Sequence, residues 1–292
     1  MIPQDMVSKV TFRSILLIGA LGMLEVAAQV PQSATGTNRY VEPRFRMGLH
    51  LLPSVAWMDA RDGHTLSDGS VVRFGFGFTA DVMFADNYAV GTGINVFRNG
   101  GKLSYFDRIT GNPLNAADDS TQFLVRRHRT LTQHWVELPL SFKFRTREIG
   151  HITYWGQFGL GIGLNLRSTA DDAVDVLYRS SGVDGAEWVE ETSIGIVPDD
   201  GIPVEDQAAL MRAAMLVGLG IEYNLSGKTA LLLGATFNNG LFNVVNNRNF
   251  GPSRDVEHVE AASDGSLDPA VLEGYDIKMV DNAILFSLGL LF

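Results

Sequence analysis

Six histidines, at positions 50, 64, 128, 134, 151 and 258, are the first candidates for chemistry, and their spacing counts against it. No two stand in the H-x-x-x-H or H-E-x-x-H arrangement that sets two imidazoles on one helix face. The chain has no cysteine, which excludes disulfides, thiolate metal sites and thiol nucleophiles. No G-x-S-x-G element presents a serine nucleophile. The glycine patterns "GFGFT", "GTGIN" and "GLGIGLN" suggest phosphate loops, but such a loop needs a strand, a turn and then a helix. Here the glycines alternate with apolar residues inside strand patterns. The sequence therefore assigns no catalytic, cofactor-binding or metal-ligating residue and reads as non-enzymatic. A barrel enzyme, assembled from serine, histidine and acid residues distant in sequence, ranks last among the readings.

The residues that do form a pattern are charges set opposite aromatic rings. In "RFGFGFTADVMF", Phe74, Phe76, Phe78, Ala80, Val82 and Phe84 alternate with Arg73, Gly75, Gly77, Thr79, Asp81 and Met83. Period-2 alternation of this kind is a strand with two different solvents on its faces. Eight segments read as strands: Phe45–Trp57, Val71–Phe84, Tyr88–Phe97, Trp135–Arg145, Ile152–Arg167, Met211–Tyr223, Thr229–Phe237, which is more uniformly apolar and leaves its faces open, and a last one through Ile284 to Phe292. Each is about ten residues or longer, enough for a tilted strand to cross hydrocarbon. A charge facing lipid at midplane costs roughly 2–4 kcal/mol, so the charged face must be the inner one. The polar residues Arg46, Arg73, Asp81, Glu137, Lys143, Arg145, Arg212, Glu222 and Asp281 are then expected in the lumen. Eight strands leave room there only for side chains, so these would form an ion-paired plug more readily than a gated pore. A lipocalin-like soluble barrel would turn the apolar face inward and leave a glycine-rich, charge-poor exterior in water.

The connections and aromatics agree with a membrane barrel. Short links ("ADN", "TREIGH", "NLSGK") alternate with long ones, about 12 residues after the first strand and over about 30 after the third, fifth and seventh. Short periplasmic turns and long outer loops have that asymmetry, and an even strand number puts both barrel ends on the periplasmic side. Phe84, Tyr88, Phe144, Tyr154, Tyr223 and Phe292 fall on the apolar face beside the short turns, where an interfacial aromatic girdle belongs. Ordinary core aromatics near strand ends are the plainer alternative. Pro53 and Pro139 lie inside proposed strands and demand a bulge or a distorted ladder. The predicted fold class is all-β, an eight-stranded antiparallel outer-membrane up-and-down β-barrel with long extracellular loops.

Composition sets the remaining bounds. A net charge of −10 gives no basic footprint for nucleic acid. Lys9 and Arg13 precede the apolar run Ser14–Leu24, which is too short for a membrane helix, and Val26 and Ala28 suit signal-peptidase cleavage. Residues 1–28 are predicted to be a signal peptide, 29–43 a short periplasmic segment and 44–292 the barrel. The stretch Ser168–Gln207 carries eleven acidic residues and one basic residue, Arg179, without EF-hand spacing. It would be a solvated acidic loop, or a site for Ca²⁺ or a basic partner. The basic cluster "VRRHR" offers Arg126, Arg127 and Arg129 to lipopolysaccharide phosphates, or simply to solvent.

The segment "VELPLSFKFRTREIGHITYWGQFGLGIGLNL", Val136–Leu166, resembles the PorT-like outer-membrane β-barrel family of Bacteroidetes, as does the "ADNYAVGTG" hairpin and the alternating end at Phe292. The resemblance implies an outer-membrane location and, for some members, a part in type IX protein secretion. It implies no catalytic residue, and no cofactor is expected. The expected partners are outer-membrane lipid and lipopolysaccharide, with secretion-machinery or other envelope proteins. A surface-binding, adhesin-like barrel is the alternative, followed by a small-solute pore.

Overall fold

A computed structural model describes residues 44–62, 65–111, 121–181, 187–192, 194–226, 229–246 and 278–292. The expected signal peptide and the segment 29–43 lie outside these described residues. Among the described residues there are thirteen strands: β1 Phe45–Leu51, β2 Ser54–Ala60, β3 Leu66–Ser67, β4 Val71–Arg73, β5 Gly75–Ala85, β6 Tyr88–Thr110, β7 Gln122–Arg145, β8 Ile152–Ser181, β9 Glu187–Glu190, β10 Val197–Pro203, β11 Met211–Ser226, β12 Thr229–Gly240 and β13 Met279–Leu291. A 3₁₀ turn, Glu205–Gln207, precedes β11.

Eight of the crossings make a ring. β5 through β8 pair in sequence, then β8 with β11, β11 with β12, and β12 with β13, all antiparallel. β1 closes the ring by pairing with both β5 and β13. Met47 and the terminal Phe292 exchange two backbone hydrogen bonds at 2.9 and 2.7 Å across that seam. The first crossing is split at Leu52–Pro53 into β1 and β2, because Pro53 has no N–H to continue the ladder. Its carbonyl still accepts Phe286 N at 2.8 Å, and Leu52 N donates to Gly75 O at 2.8 Å. At Pro139 the register is unchanged: Thr92↔Leu140 and Asn95↔Glu137 flank an interruption in the β6 ladder, while Pro139 stays opposite Gly161 of β8.

The strand faces are inverted relative to a soluble barrel. Phe76, Phe158, Leu160, Val217, Leu219 and Phe286 are exposed on the outside, while Asp81, Glu137, Arg212, Glu222 and Asp281 are buried inside. That arrangement is stable only with hydrocarbon outside, and a closed ring leaves no unpaired edge within it.

One side of the ring is far taller than the other. β8 has 30 residues, roughly 100 Å at 3.3 Å per residue, against about ten needed to cross hydrocarbon. β6 and β7 rise with it to Thr110 and Gln122, and β9 and β10 pair with β8 along its upper half. Much of the connections after the third and fifth crossings is therefore strand, forming a wall. The alternation signal fades at Phe97 because Arg98, Asn99, Gly100, Gly101 and Lys102 put polar or bare residues on both faces. The ladder itself continues unbroken through those residues.

Candidate functional site

The lumen is filled in tiers. Near the short turns, Glu222 Oε2 accepts Arg46 Nη1 at 2.5 Å and Arg145 Nη2 at 2.6 Å. Beside it Lys143 Nζ donates to both oxygens of Asp81, at 2.8 and 2.7 Å, and stands 5.4 Å from the Trp155 ring. Further up, Arg212 lies 3.4 Å from Glu137 and 3.2 Å from Asp281. Arg212 Nη2 donates to Asn238 Oδ1 at 2.7 Å, and Asn238 Nδ2 donates to both oxygens of Glu137, at 3.1 and 3.0 Å. Asn99 Nδ2 reaches Asp281 Oδ2 at 2.5 Å. The lower tier has three cations against two carboxylates and the upper tier one against two, so the lumen as a whole balances.

Between the tiers lies a cavity of about 60 Å³, lined by His50, Asn95, Ser141, Lys143, Gln157 and Thr236 among others. It has room for a few waters and for no larger solute. Above the upper tier, Leu52, Ala56, Val71, Phe97, Trp135 and Leu285 close the interior with apolar side chains. A second apolar layer, including Met58, Leu131, Val204, Val244 and Met279, lies beyond it.

Eight of the nine polar residues predicted for the lumen sit in these two tiers. Arg73 is placed elsewhere. The ladder between the second crossing and β6 ends at Gly75↔Phe97, so β4 is held by β2 and its arginine swings away from the tiers. Its Nη2 donates to Thr132 Oγ1 at 2.8 Å, on the outer face of the wall. Phe84, Tyr88, Phe144, Tyr154, Tyr223 and Phe292 are all exposed at the short-turn end. Phe84, Tyr88 and Phe144 lie within a run of ring contacts that also takes in Phe142 and Phe158. The asparagines Asn99 and Asn238 were missed in the sequence because they lie outside or at the fringe of the expected strands, although both keep the inward parity.

A third polar cluster stands above the barrel, inside the wall. Arg129 holds Asp172 through two hydrogen bonds at 2.8 and 2.7 Å and donates to Gln207 Oε1 at 2.9 Å. Arg127 bridges Asp107 at 2.9 Å and Asp172 at 2.8 Å. The two carboxylates respond oppositely. Burial outweighs Arg127 at Asp107 and pushes its pKa up. Burial acts on Asp172 in the same sense, but Arg129 and Arg127 together more than offset it and hold this carboxyl below the usual range. Of the three arginines expected at lipopolysaccharide, then, Arg127 and Arg129 are turned inward and paired. Arg126 is exposed, lying 5.1 Å over the Phe106 ring. Three of the eleven acidic residues between 168 and 207 (Asp171, Asp172 and Asp175) stand on β8, and no metal-binding group of three or more His, Asp or Glu occurs among the described residues.

A closed eight-stranded ring with lipid-facing rings outside and an ion-paired interior defines a transmembrane β-barrel of the outer-membrane kind. Solved structures with a similar course include Neisserial surface protein A, at 10% identity over 85% of this chain and 96% of that one, with a TM-score of 0.38. The outer membrane protein OprG from Pseudomonas aeruginosa matches at 9% identity over 86% and 97%, with a TM-score of 0.40. The attachment invasion locus protein Ail of Yersinia pestis matches at 9% over 86% and 100%, with a TM-score of 0.30. Likeness of this order is not likeness of sites. No protein-family model and no curated protein matches the sequence, so the PorT-like resemblance rests on the residues that carry it.

Proposed function

We propose that this chain is a non-enzymatic component of the outer membrane, exported by a cleaved signal peptide, which works through protein contacts and not by conducting solute. The filled lumen carries this reading: two ion-paired tiers and two apolar layers leave a cavity of only about 60 Å³. A barrel that passes nothing acts through its surfaces. The resemblance of Val136–Leu166 to PorT-like proteins narrows those surfaces to a role in type IX protein secretion or its assembly, with partners docking on the periplasmic turns or around the barrel. In planar bilayers the purified chain is expected to give no single-channel steps, and a deletion strain is expected to retain surface-destined proteins. Steady conductance would overturn the first part, and normal delivery of surface proteins the second.

The wall favours a second reading. The strand length beyond the bilayer in β6, β7 and β8 is more than a plugged barrel needs. A surface-binding protein would use it. Replacing 98–134 and 167–210 by short turns would abolish binding at the surface but spare a component that docks by its periplasmic turns.

A further inference from the structure

Where the apolar band ends on the tall side, the sheet sets two arginines and a histidine side by side. Val96, Val136 and Leu164 are register partners across β6, β7 and β8 and belong to the outer apolar face. One step higher on that face, Arg98 pairs with His134 and His134 with Arg167. A one-residue bulge between His134 and Trp135 brings Arg167, and not Leu166, onto this row. Arg73 adds a further cation at Thr132.

Side chains directly opposite on neighbouring strands have Cβ atoms about 5 Å apart, and like charges so placed destabilise a sheet. Among the described residues no carboxylate makes an ion pair with Arg98, His134 or Arg167. Asp171 is on the same outer face, farther up, where one of its oxygens accepts Gly201 N at 2.8 Å. The His134 imidazole is held below its ordinary pKa, first by burial and then by Arg98, Arg167 and Arg73. The row thus sets two guanidinium groups on either side of a neutral imidazole, with no carboxylate paired to any of the three, at the height where hydrocarbon gives way to headgroups.

We infer that Arg98, His134 and Arg167, backed by Arg73, bind the phosphate groups of an anionic lipid in the outer leaflet. The charge is complementary, and two guanidinium forks suit phosphate oxygens. The height is right as well. Arg126 lies eight residues farther up β7, roughly 27 Å along the strand, above the reach of headgroups. The inference rests on the barrel standing in a bilayer with its short turns on the periplasmic side.

The test uses the full chain refolded in detergent and bisphosphorylated lipid A as probe, with retained lipid read by native mass spectrometry. Heat-modifiable migration in the same samples shows whether the barrel is intact, so a failed site is distinguished from a failed barrel. The wild type is expected to retain lipid A, and the double variant Arg98→Gln/Arg167→Gln to retain it about tenfold less well. In phosphate-free micelles that variant should unfold no earlier than the wild type, because its loss removes only like-charge contact. Arg126→Gln should retain lipid A as the wild type does. Equal retention by the double variant overturns the inference, as does equal retention of fully dephosphorylated lipid A, which would mark ordinary lipid contact. Displacement by millimolar inorganic phosphate would make this a free-anion site and overturn it too.

Discussion

The lower and upper halves of the tall side are the same three strands in two solvents. Below the row Arg98–His134–Arg167, the outer face of β7 reads Phe144, Phe142, Leu140, Leu138 and Val136, and the inner face carries Glu137, Lys143 and Arg145. Above it the outer face turns to Thr132, Thr130, His128 and Arg126. The inner face takes Leu131, Val125 and Phe123, with Arg127 and Arg129 between them. The polarity changes within one pleat, and the backbone marks the place with a bulge. Strand alternation therefore reports the solvent on each face, not which face is the core. Each half then faces its own problem. The barrel must neutralise charges that have no water, and the wall must bury enough apolar surface to stand in water.

Removing one ion from each half has the largest expected effect. Arg212 has a fully buried side chain and is the only cation of its tier among the described residues. Arg212→Leu leaves Glu137 and Asp281 facing each other with only neutral donors, Asn238 and Asn95 at Glu137 and Asn99 at Asp281, and is expected to cost about 3–5 kcal/mol. Arg127→Leu in the wall leaves Asp172 bidentate on Arg129, while the buried Asp107, whose pKa is already raised, can take up a proton. This variant is expected to cost about 1–2 kcal/mol. Urea unfolding in micelles, followed by heat-modifiable migration, measures both. A smaller loss for Arg212→Leu than for Arg127→Leu would reverse the assignment of which half depends on charge pairing.

A charge placed on the outer face tests the change of solvent directly. Phe158 is exposed within the apolar band, and Phe158→Arg should cost roughly 2–4 kcal/mol in a bilayer. Thr130→Arg, on the same outer parity but above the row, should change stability by less than about 0.5 kcal/mol. Refolding yields into vesicles compare the two. Equal costs would mean that the row at Arg98 is not the hydrocarbon boundary.

The lower half was legible in the sequence because hydrocarbon enforces a strict rule. Every outward position is apolar or small, so the inward charges and the short-turn aromatics can be read by parity, while Thr229–Phe237, apolar on both faces with Leu232 inside, cannot. Arg73 escaped because parity assumes a continuous ladder, and the ladder with β6 stops one pleat below it. The wall reads as loop in the sequence, since water tolerates polar residues on its outer face and its inner face mixes Phe123 and Val125 with Arg127 and Arg129. Alternation that weak has no signature. The pairing of Arg129 with Asp172 joins residues far apart in sequence and depends on the β7–β8 register, which only the structure supplies.

Acid separates the wall from the barrel more gently. Asp172 has a folded pKa below its unfolded value, so its contribution is complete above the ordinary aspartate range and fades as pH falls beneath it. Asp107 has a raised folded pKa, so it protonates first, and that step relieves the wall. Amide exchange over 122–134 should therefore hold or slow as pH falls from neutral, then quicken below the ordinary aspartate value of 3.8, after correction for intrinsic rates. Asp172→Asn should remove the acid step and cost about 1–2 kcal/mol at neutral pH. An acid step that survives in this variant would place the titrating group elsewhere.

The smallest effect concerns a glycine that the lumen requires. Gly161 faces inward on β8, and a Cβ there would sit 2.6 Å from Glu137 Cδ. That carboxylate cannot swing aside freely, because Asn238 and Arg212 hold it. Alanine would also gain roughly 0.4–1 kcal/mol from a stiffer unfolded chain, so two terms of similar size compete. Overpacking a filled interior costs about 1–3 kcal/mol, and Gly161→Ala should therefore lose about 1 kcal/mol net. The loss should vanish in Gly161→Ala/Glu137→Gln if an amide, free of the Arg212 charge, can turn away. A single variant as stable as the wild type would mean that the upper tier is looser than its hydrogen bonds indicate, and closer in character to the wall.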